Sequence, residues 1–241
     1  MLESNNEQEL EQDNAELKYL GIDPIIFRKD ITADKLLHSY KHAKRAAYKP
    51  QDIIYLEGST ADTVYIISKG MVKLLSYLPN GRARIVRLHG PGHIVGLGGL
   101  LQPEYEHTAV ATDNVEILKI PISFIKETRK QDPGFYLELS EQWHHYLREA
   151  DVWITQFSTG SIRSRVARLI TFLSYLEREA NPGFVRLLSG EEMALVLGVT
   201  PESVSRVIAD FKRQHIVQPV TTHAEILFKH DKTRLREYLQ D

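Results

Sequence analysis

Between about residues 48 and 119, hydrophobic residues occur in short β-branched and aromatic runs that glycine-containing turns separate. Such runs, bounded by turn residues, are typical of strands in an all-β roll or barrel. Pro79-Asn80-Gly81 is a hairpin signal between two of the runs. The pattern predicts an antiparallel β-roll of the jelly-roll type, with strands at 52–55, 63–67, 72–77, 83–88 and 107–111.

A different pattern follows Asp132-Pro133, where large side chains recur at alternating spacings of three and four residues. The stripe comprises Tyr136, Leu139, Trp143, Tyr146, Ala150, Trp153 and Phe157. This spacing lies along one face of a helix and is typical of a coiled-coil seam, so we predict a helix of about 25 residues. A core helix within one chain is one interpretation, and a seam between two copies is the other. We favour the dimer seam because seven consecutive matches exceed what one globular helix needs.

Near the C-terminus the sequence predicts two short helices around one tight turn. Ser189 and Glu192 form a capping box before the first helix, and Gly198 ends that helix. Thr200 then caps a second helix with Pro201 at its first position. The apolar face of the second helix comprises Val204, Val207, Ile208 and Phe211. Two helices around such a turn are typical of a DNA-binding helix-turn-helix.

The other face of the second helix carries groups that can recognise DNA bases. A carboxylate accepts a hydrogen bond from cytosine N4, and a guanidinium donates to guanine O6 and N7 in the major groove. The exposed groups near the N-terminus of this helix are Glu202, Ser203, Ser205 and Arg206. Candidates for a phosphate-facing basic patch are Arg163, Arg165, Arg168, Arg206, Lys212 and Arg213. An ordinary amphipathic hairpin of two helices is the alternative, and the two caps together with the exposed residues favour DNA binding.

The charge of the chain is unevenly distributed, although its net value is only −2 over 241 residues. Residues 1–17 hold six acidic residues and no basic one, whereas residues 159–241 hold 12 Lys or Arg against 10 Asp or Glu. The absence of cysteine excludes disulfides, thiolate zinc sites and cysteine-ligated iron–sulfur clusters. No apolar run reaches the length of a membrane span, and no signal peptide is recognisable. We therefore expect a cytoplasmic protein that has no membrane partner.

The order of these parts resembles the CRP/FNR family of bacterial transcription regulators, from about residue 48 to 240. The most specific segments are Glu57-Gly58, Lys69-Gly70-Met71-Val72-Lys73-Leu74, Pro91-Gly92-His93-Ile94-Val95-Gly96 and Glu202-Ser203-Val204-Ser205-Arg206. The resemblance implies an α+β fold with an N-terminal antiparallel β-roll, a long dimerisation helix and a C-terminal winged helix-turn-helix. Segments 216–218 and 226–228 would form the wing. The corresponding divisions are an acidic extension at 1–22, a β-roll sensor domain at 23–131, the helix at 132–158 and the DNA-binding domain at 159–241.

The resemblance also implies roles for individual residues and partners for the chain. The expected base-reading residues are Glu202, Ser205 and Arg206, and the expected phosphate contacts are Ser189, Thr200, Ser203, Lys212 and Arg213. The recognition helix has the FNR-like form, which implies a homodimer on a palindromic site with TTGAT-like half-sites. The family further implies activation rather than repression, with RNA polymerase as a partner.

The expected effector pocket lies at Gly96, Leu97, His107 and Thr108, where the chain departs from the cyclic-AMP-binding members of the family. Those members place a glutamate directly after the glycine that Gly96 matches, and an Arg-Ser pair later in the domain. Leu97 cannot accept a hydroxyl hydrogen bond, and His107-Thr108 replaces the charged pair, which argues against cyclic AMP. An FNR-type iron–sulfur cluster lacks its cysteine ligands.

Other effectors and other functions stay open at this point. Haem is compatible with the spacing of His38 and His42, and with His89, His93 and His107 near the roll, whereas no metal site is recognisable. A haem-based gas sensor of the same family and a nucleotide-binding regulatory module without DNA activity are the alternatives, together with a regulator that has no effector. An enzyme is disfavoured because the chain lacks a His-x-His pair, a glycine-rich phosphate loop and a nucleophile elbow.

Overall fold

The computed structural model describes residues 43–131, 134–176, 183–221 and 226–239, together with Lys18. The rest of the acidic extension at 1–22 and the pair His38 and His42 lie outside the described residues. From Ala43 onward the chain divides into two compact units, and the division falls between Arg148 and Glu149. Within the described ranges, no helix has the length and apolar character that crossing a bilayer requires.

The first unit is built from two four-stranded antiparallel sheets. The strands are β1 Lys44–Tyr48, β2 Ile53–Tyr55, β3 Thr63–Lys69, β4 Val72–Tyr77, β5 Ala83–His89, β6 Ile94–Val95, β7 Thr108–Ala111 and β8 Val115–Pro121. Their order is β1-β8-β3-β6 in one sheet and β2-β7-β4-β5 in the other. A 3-10 turn at Leu97–Leu100 follows β6, and helix α1 at Ile122–Gln131 follows β8.

One hydrophobic core joins the two sheets. Val64 and Ile66 from β3, Val72 and Leu74 from β4, and Ile117 from β8 belong to the same buried cluster. Burial of such apolar side chains contributes about 25 cal/mol for each Å² removed from water, which makes this core the main source of stability for the roll. The predicted antiparallel β-roll is therefore confirmed.

The second unit consists of helices and one small antiparallel sheet. Helix α2 spans Gly134–Ser158, and its part from Glu149 onward belongs to this unit. The elements that follow are α3 Ile162–Leu176, β9 Phe184–Val185, α4 Gly190–Leu197, α5 Pro201–Arg213, β10 Val217–Thr221, β11 Ile226–His230 and α6 Lys232–Arg236. The sheet order is β10-β11-β9, and the pairing of β10 with β11 confirms the predicted wing strands. Helix α2 is continuous across the boundary between the two units.

The structure corrects the interpretation of the aromatic stripe on α2 as a seam between two chains. Phe157 is only 1% exposed and Trp153 is buried, and both make edge-to-face contacts with Phe172 of α3 at ring-centroid distances of 5.6 and 5.8 Å. Trp143 and Tyr146 are half-buried against the core of the roll. The prediction is wrong for Trp153 and Phe157, because side chains already buried within one chain have no area left to bury against a second.

The remaining members of the stripe add little evidence on whether it forms a seam between two chains. The side chains of Tyr136 and Leu139 lie outside the described residues, and Ala150 is half-buried. Among the described side chains of α2, the large apolar groups that stay exposed are Leu137, Leu147 and Ile154. Leu147 and Ile154, which are 67% and 61% exposed, lie seven residues apart and so share one side of the helix.

Candidate nucleic-acid interface and cavity

Local hydrogen bonds fix the turn between α4 and α5 as the sequence predicts. Ser189 Oγ accepts from the Glu192 backbone N–H at 3.1 Å, and the Glu192 carboxylate accepts from the Ser189 backbone N–H at 3.1 Å. Helix α4 ends at Gly198, whose φ of +67° lies in the left-handed region that glycine adopts without strain. Thr200 Oγ1 then accepts from the Ser203 N–H at 3.4 Å and begins α5.

Helix α5 has one buried face and one exposed polar face. Its buried residues are Val204, Val207 and Phe211. Its exposed residues include the three expected base readers Glu202, Ser205 and Arg206. The structure therefore brings these three side chains together on one exposed surface, called here the recognition face.

The two charged groups of the recognition face are held loosely enough to rearrange. Arg206 Nη2 donates a long hydrogen bond of 3.4 Å to Ser203 Oγ. The Glu202 carboxylate accepts a hydrogen bond from the Glu202 backbone N–H and a second from the Thr200 side chain, and both lower the pKa of Glu202. Glu202 is consequently ionised near neutral pH and is an acceptor for a base amino group.

The expected phosphate contacts already have partners within the chain. The Ser189 hydroxyl donates to the Glu192 carboxylate at 3.0 Å, and Lys212 Nζ lies 5.1 Å from the centroid of the Phe228 ring. Arg213 Nη2 lies 3.0 Å from Asp210 Oδ1. These contacts are exposed and therefore weak, so phosphate can compete for the same groups.

Asp210 links α5 to α3. Its second oxygen lies 2.8 Å from Arg163 Nη2, so one carboxylate serves both Arg163 and Arg213. The hydrogen bond from Arg213 is the main cause that lowers the pKa of Asp210. Asp210 thereby contacts one basic side chain on α3 and one on α5.

Arg168 does not belong to a phosphate-facing patch, contrary to the sequence prediction. It is 8% exposed, and its guanidinium donates to the carbonyl oxygens of Gln156 at 3.2 Å, Thr159 at 3.0 Å and Leu239 at 3.0 Å. Arg165 similarly donates to the Leu197 carbonyl at 3.2 Å, at the end of α4. Both arginines satisfy main-chain carbonyls, a role that charge counting along a sequence cannot distinguish from phosphate binding.

The roll contains a cavity of about 210 Å³. Gly96, Leu97 and His107 line it, as predicted for the effector pocket. Thr108 is not among the described residues that line it; its hydroxyl accepts from the Glu57 N–H at 3.1 Å. Gly96 has φ +85°, and a Cβ there would lie 3.0 Å from the Thr63 carbonyl oxygen, so the wall of the cavity requires glycine at this position.

The sequence analysis did not predict Arg87 as a cavity residue, and it named His89 only as a candidate haem ligand; both lie on β5 and line the cavity. In the pairing of β4 with β5, Leu74 opposes Arg87 and Leu75 opposes Ile85, so Val86 is an extra residue. A bulge of this kind redirects the neighbouring side chains. β5 carries Arg84, Arg87 and His89 among apolar residues, and strand alternation alone does not say which of these polar side chains points into the roll.

Two histidines of the cavity are held in the neutral form. Burial lowers the pKa of His89 well below its ordinary value, and the nearby His93 and Arg87 lower it further. Burial also lowers the pKa of His107, against the opposing effect of Glu106 and Glu57. Within the described residues, no group of three or more His, Asp or Glu side chains is arranged to hold a metal ion.

Acid is expected to destabilise the roll through His89. Because its folded pKa is below the unfolded value of about 6.5, the unfolded chain binds more protons as the pH falls below that value. Stability is then lost at up to about 1.4 kcal/mol per pH unit for this one group. We expect His89→Gln to flatten the pH dependence of urea unfolding between about pH 7 and 5. The exposed His144→Gln is the control, and an unchanged slope in His89→Gln would contradict the assignment.

Comparison with known proteins agrees with both parts of this structure. A model of the cyclic nucleotide-binding domain matches residues 45–132, and a model of the Crp-like helix-turn-helix domain matches residues 165–238. The transcriptional regulator LdrP of Thermus thermophilus is 30% identical over 176 residues, which are 72% of this chain and 86% of the relative. The transcriptional activator protein Anr of Pseudomonas protegens is 25% identical over 182 residues, or 74% of this chain and 75% of the relative.

Solved structures share the fold. FixK2 from Bradyrhizobium japonicum superposes with a TM-score of 0.71 at 24% identity, covering 81% of this chain and 96% of that one. A CRP-family transcriptional regulator from Thermus thermophilus gives a TM-score of 0.67 at 25% identity, covering 81% and 97%. With its cyclic-nucleotide-binding roll and its Crp-like helix-turn-helix, the chain belongs to the CRP/FNR family of transcription regulators.

Proposed function

We propose that this protein is a transcription activator that binds a palindromic DNA site with TTGAT-like half-sites as a homodimer. The observation that carries the proposal is the recognition face of α5, where Glu202, Ser205 and Arg206 are exposed above a buried apolar face. A helix of this form places an ionised acceptor, a hydroxyl and a guanidinium within reach of base edges in the major groove. The name of Anr, a transcriptional activator protein, supports activation, with RNA polymerase as the expected partner.

The homodimer is proposed to form through exposed apolar residues of α2 rather than through the aromatic stripe. Leu137 precedes Leu147 by ten residues and Leu147 precedes Ile154 by seven, which are spacings of a single coiled-coil seam. Each of these side chains is exposed in the single chain, and exposed large apolar groups at such spacing are typical of an interface. A two-fold axis along such a seam suits a palindromic site with half-sites about 34–36 Å apart.

The cavity of the roll is the proposed effector site. At the positions where the family's cyclic-AMP-binding members carry a glutamate and an Arg-Ser pair, this chain has Leu97 and the neutral His107, so those charged contacts are missing at these positions. The cavity of 210 Å³ is smaller than the roughly 300–1,000 Å³ of pockets for drug-sized ligands, which favours an effector smaller than haem in this cavity. The effector is therefore proposed to be a smaller molecule, which changes the populations of two arrangements of the dimer.

Fluorescence anisotropy with full-length protein tests the proposal. One labelled duplex carries two inverted TTGAT half-sites, and a second carries the same bases scrambled. We expect the palindrome to bind about 10³-fold more tightly at physiological salt, with two chains per duplex. Equal affinity for both duplexes would overturn the proposed site. Failure to bind either duplex at low salt would instead favour a regulatory module without DNA activity.

A further inference from the structure

One terminal nitrogen of the Arg87 guanidinium donates a hydrogen bond, and the other has no hydrogen-bond partner among the described residues. Arg87 Nη2 donates to the Tyr146 carbonyl of α2 at 2.9 Å. Nη1 is buried and has no hydrogen-bond partner among the described residues. A buried, charged donor without an acceptor is costly, and proteins normally satisfy such a group. Because Arg87 lines the cavity, the missing acceptor is one that a molecule in the cavity can supply.

His89 provides a second polar group that lines the same cavity. It is only 3% exposed, and its Nδ1 atom has no hydrogen-bond partner among the described residues. Two residues at alternate positions of β5, each with a buried polar atom that has no partner among the described residues, thus line a single cavity. A few polar groups without partners in an otherwise apolar cavity are typical of a ligand-binding site.

The rest of the cavity is largely aromatic. Tyr55 and Tyr105 stack with ring centroids 4.0 Å apart, and Trp143 and Tyr146 of α2 also line the cavity. Flat rings pack well against such surfaces in offset-stacked or edge-to-face geometry. The volume of about 210 Å³ limits the occupant to a molecule smaller than drug-sized ligands.

One carboxylate restricts the charge of the occupant. Glu106 lines the cavity, and its Oε2 atom lies 3.3 Å from the position that a Cβ on Gly98 would occupy. Glu106 repels every negative charge on a ligand, and at the same distance it repels a dianion about twice as strongly as a monoanion. The site therefore favours a single negative charge near Arg87 and disfavours phosphate dianions.

We propose that the cavity binds a small aromatic monocarboxylate, with its carboxylate on Arg87 Nη1 and His89 and its ring against Tyr55, Tyr105 and Trp143. The proposal rests on the regulator function and names the class of its effector. The same guanidinium would then hold the ligand through Nη1 and the main chain of α2 through Nη2. Ligand binding would in this way be transmitted to the helix that is proposed to form the dimer seam.

Isothermal titration calorimetry of the full chain without DNA tests the proposal, with benzoate as the probe and benzamide as its neutral counterpart. We expect benzoate to bind with a dissociation constant in the millimolar range or below, and benzamide at least about 10-fold more weakly. Arg87→Met should weaken benzoate binding by about 10- to 100-fold, the usual effect of losing a charged hydrogen bond. Arg82→Met is the matched control, because Arg82 is exposed and does not line the cavity.

Each remaining outcome is decisive. Equal binding of benzoate and benzamide, no binding of benzoate up to about 10 mM, or tighter binding of cyclic AMP or inorganic phosphate would overturn the proposal. If Arg87→Met fails to fold, Arg87→Lys is tested instead. Lysine keeps the positive charge but has one terminal nitrogen in place of two, so this variant should still weaken benzoate binding. Because DNA is absent, a negative result leaves the palindrome experiment untouched, so failure of the effector class and failure of the regulator function are distinguishable.

Discussion

Arg206→Ala is expected to abolish the preference for the palindromic duplex while leaving the chain folded. The Arg206 side chain is exposed and makes only a long hydrogen bond to Ser203, so its removal leaves no buried group unsatisfied. A bidentate arginine–guanine contact discriminates by about 1–3 kcal/mol, and a palindrome presents two half-sites, so the dimer loses about 2–6 kcal/mol. Anisotropy with the palindromic and scrambled duplexes measures this difference directly.

A second variant separates base reading from phosphate binding. Lys212 lies over the Phe228 ring near the end of α5 and is a candidate phosphate contact. Lys212→Ala should weaken binding to both duplexes by a similar factor and reduce the salt dependence, because a phosphate contact carries no sequence information. A variant lacking Arg206 that prefers the palindrome as strongly as the unchanged protein would contradict the assignment of the recognition face.

The helix-turn-helix was the part of the fold most accurately predicted, because its boundaries are set by local chemistry. The capping box at Ser189, the left-handed Gly198 and the pair Thr200-Pro201 each act within a few residues, and each is present as expected. The Pro79-Asn80-Gly81 turn between β4 and β5 was readable for the same reason. Local signals of this kind do not depend on what the rest of the chain does.

Pairings between distant segments were not readable from the sequence. The sequence analysis assigns no strand to Val115–Pro121, yet this strand β8 lies between β1 and β3 in its sheet. Its place depends on partners about 50 to 75 residues away, such as Thr63 and Lys44. The cavity escaped prediction in part for a related reason, because Arg87 follows the extra residue between two paired strands.

The aromatic stripe of α2 shows what hydrophobic periodicity leaves undecided. A spacing of three and four residues says that one side of a helix is covered, but it does not say by what. In the structure the cover comes from the same chain, with Phe172 of α3 against Phe157 and the core of the roll against Trp143. The side chains left for another molecule are the less regular Leu137, Leu147 and Ile154.

Phe157→Ala therefore tests which face of α2 belongs to the fold. Phe157 is 1% exposed and contacts the rings of Trp153 and Phe172, so truncation leaves a cavity in a packed aromatic cluster. We expect a loss of about 3–5 kcal/mol in the free energy of urea unfolding of the C-terminal unit. Ile154, three residues earlier on the same helix and 61% exposed, supplies the matched control.

Ile154→Ala should change the unfolding free energy of the single chain by no more than about 0.5 kcal/mol, because an exposed side chain loses little packing. Because the variant lacks an apolar side chain of the proposed seam, it should instead raise the chain concentration at which dimers form in sedimentation equilibrium. Phe157→Ala should lower stability at every chain concentration. If Ile154→Ala unfolds the chain and Phe157→Ala only dissociates the dimer, the aromatic stripe is the seam.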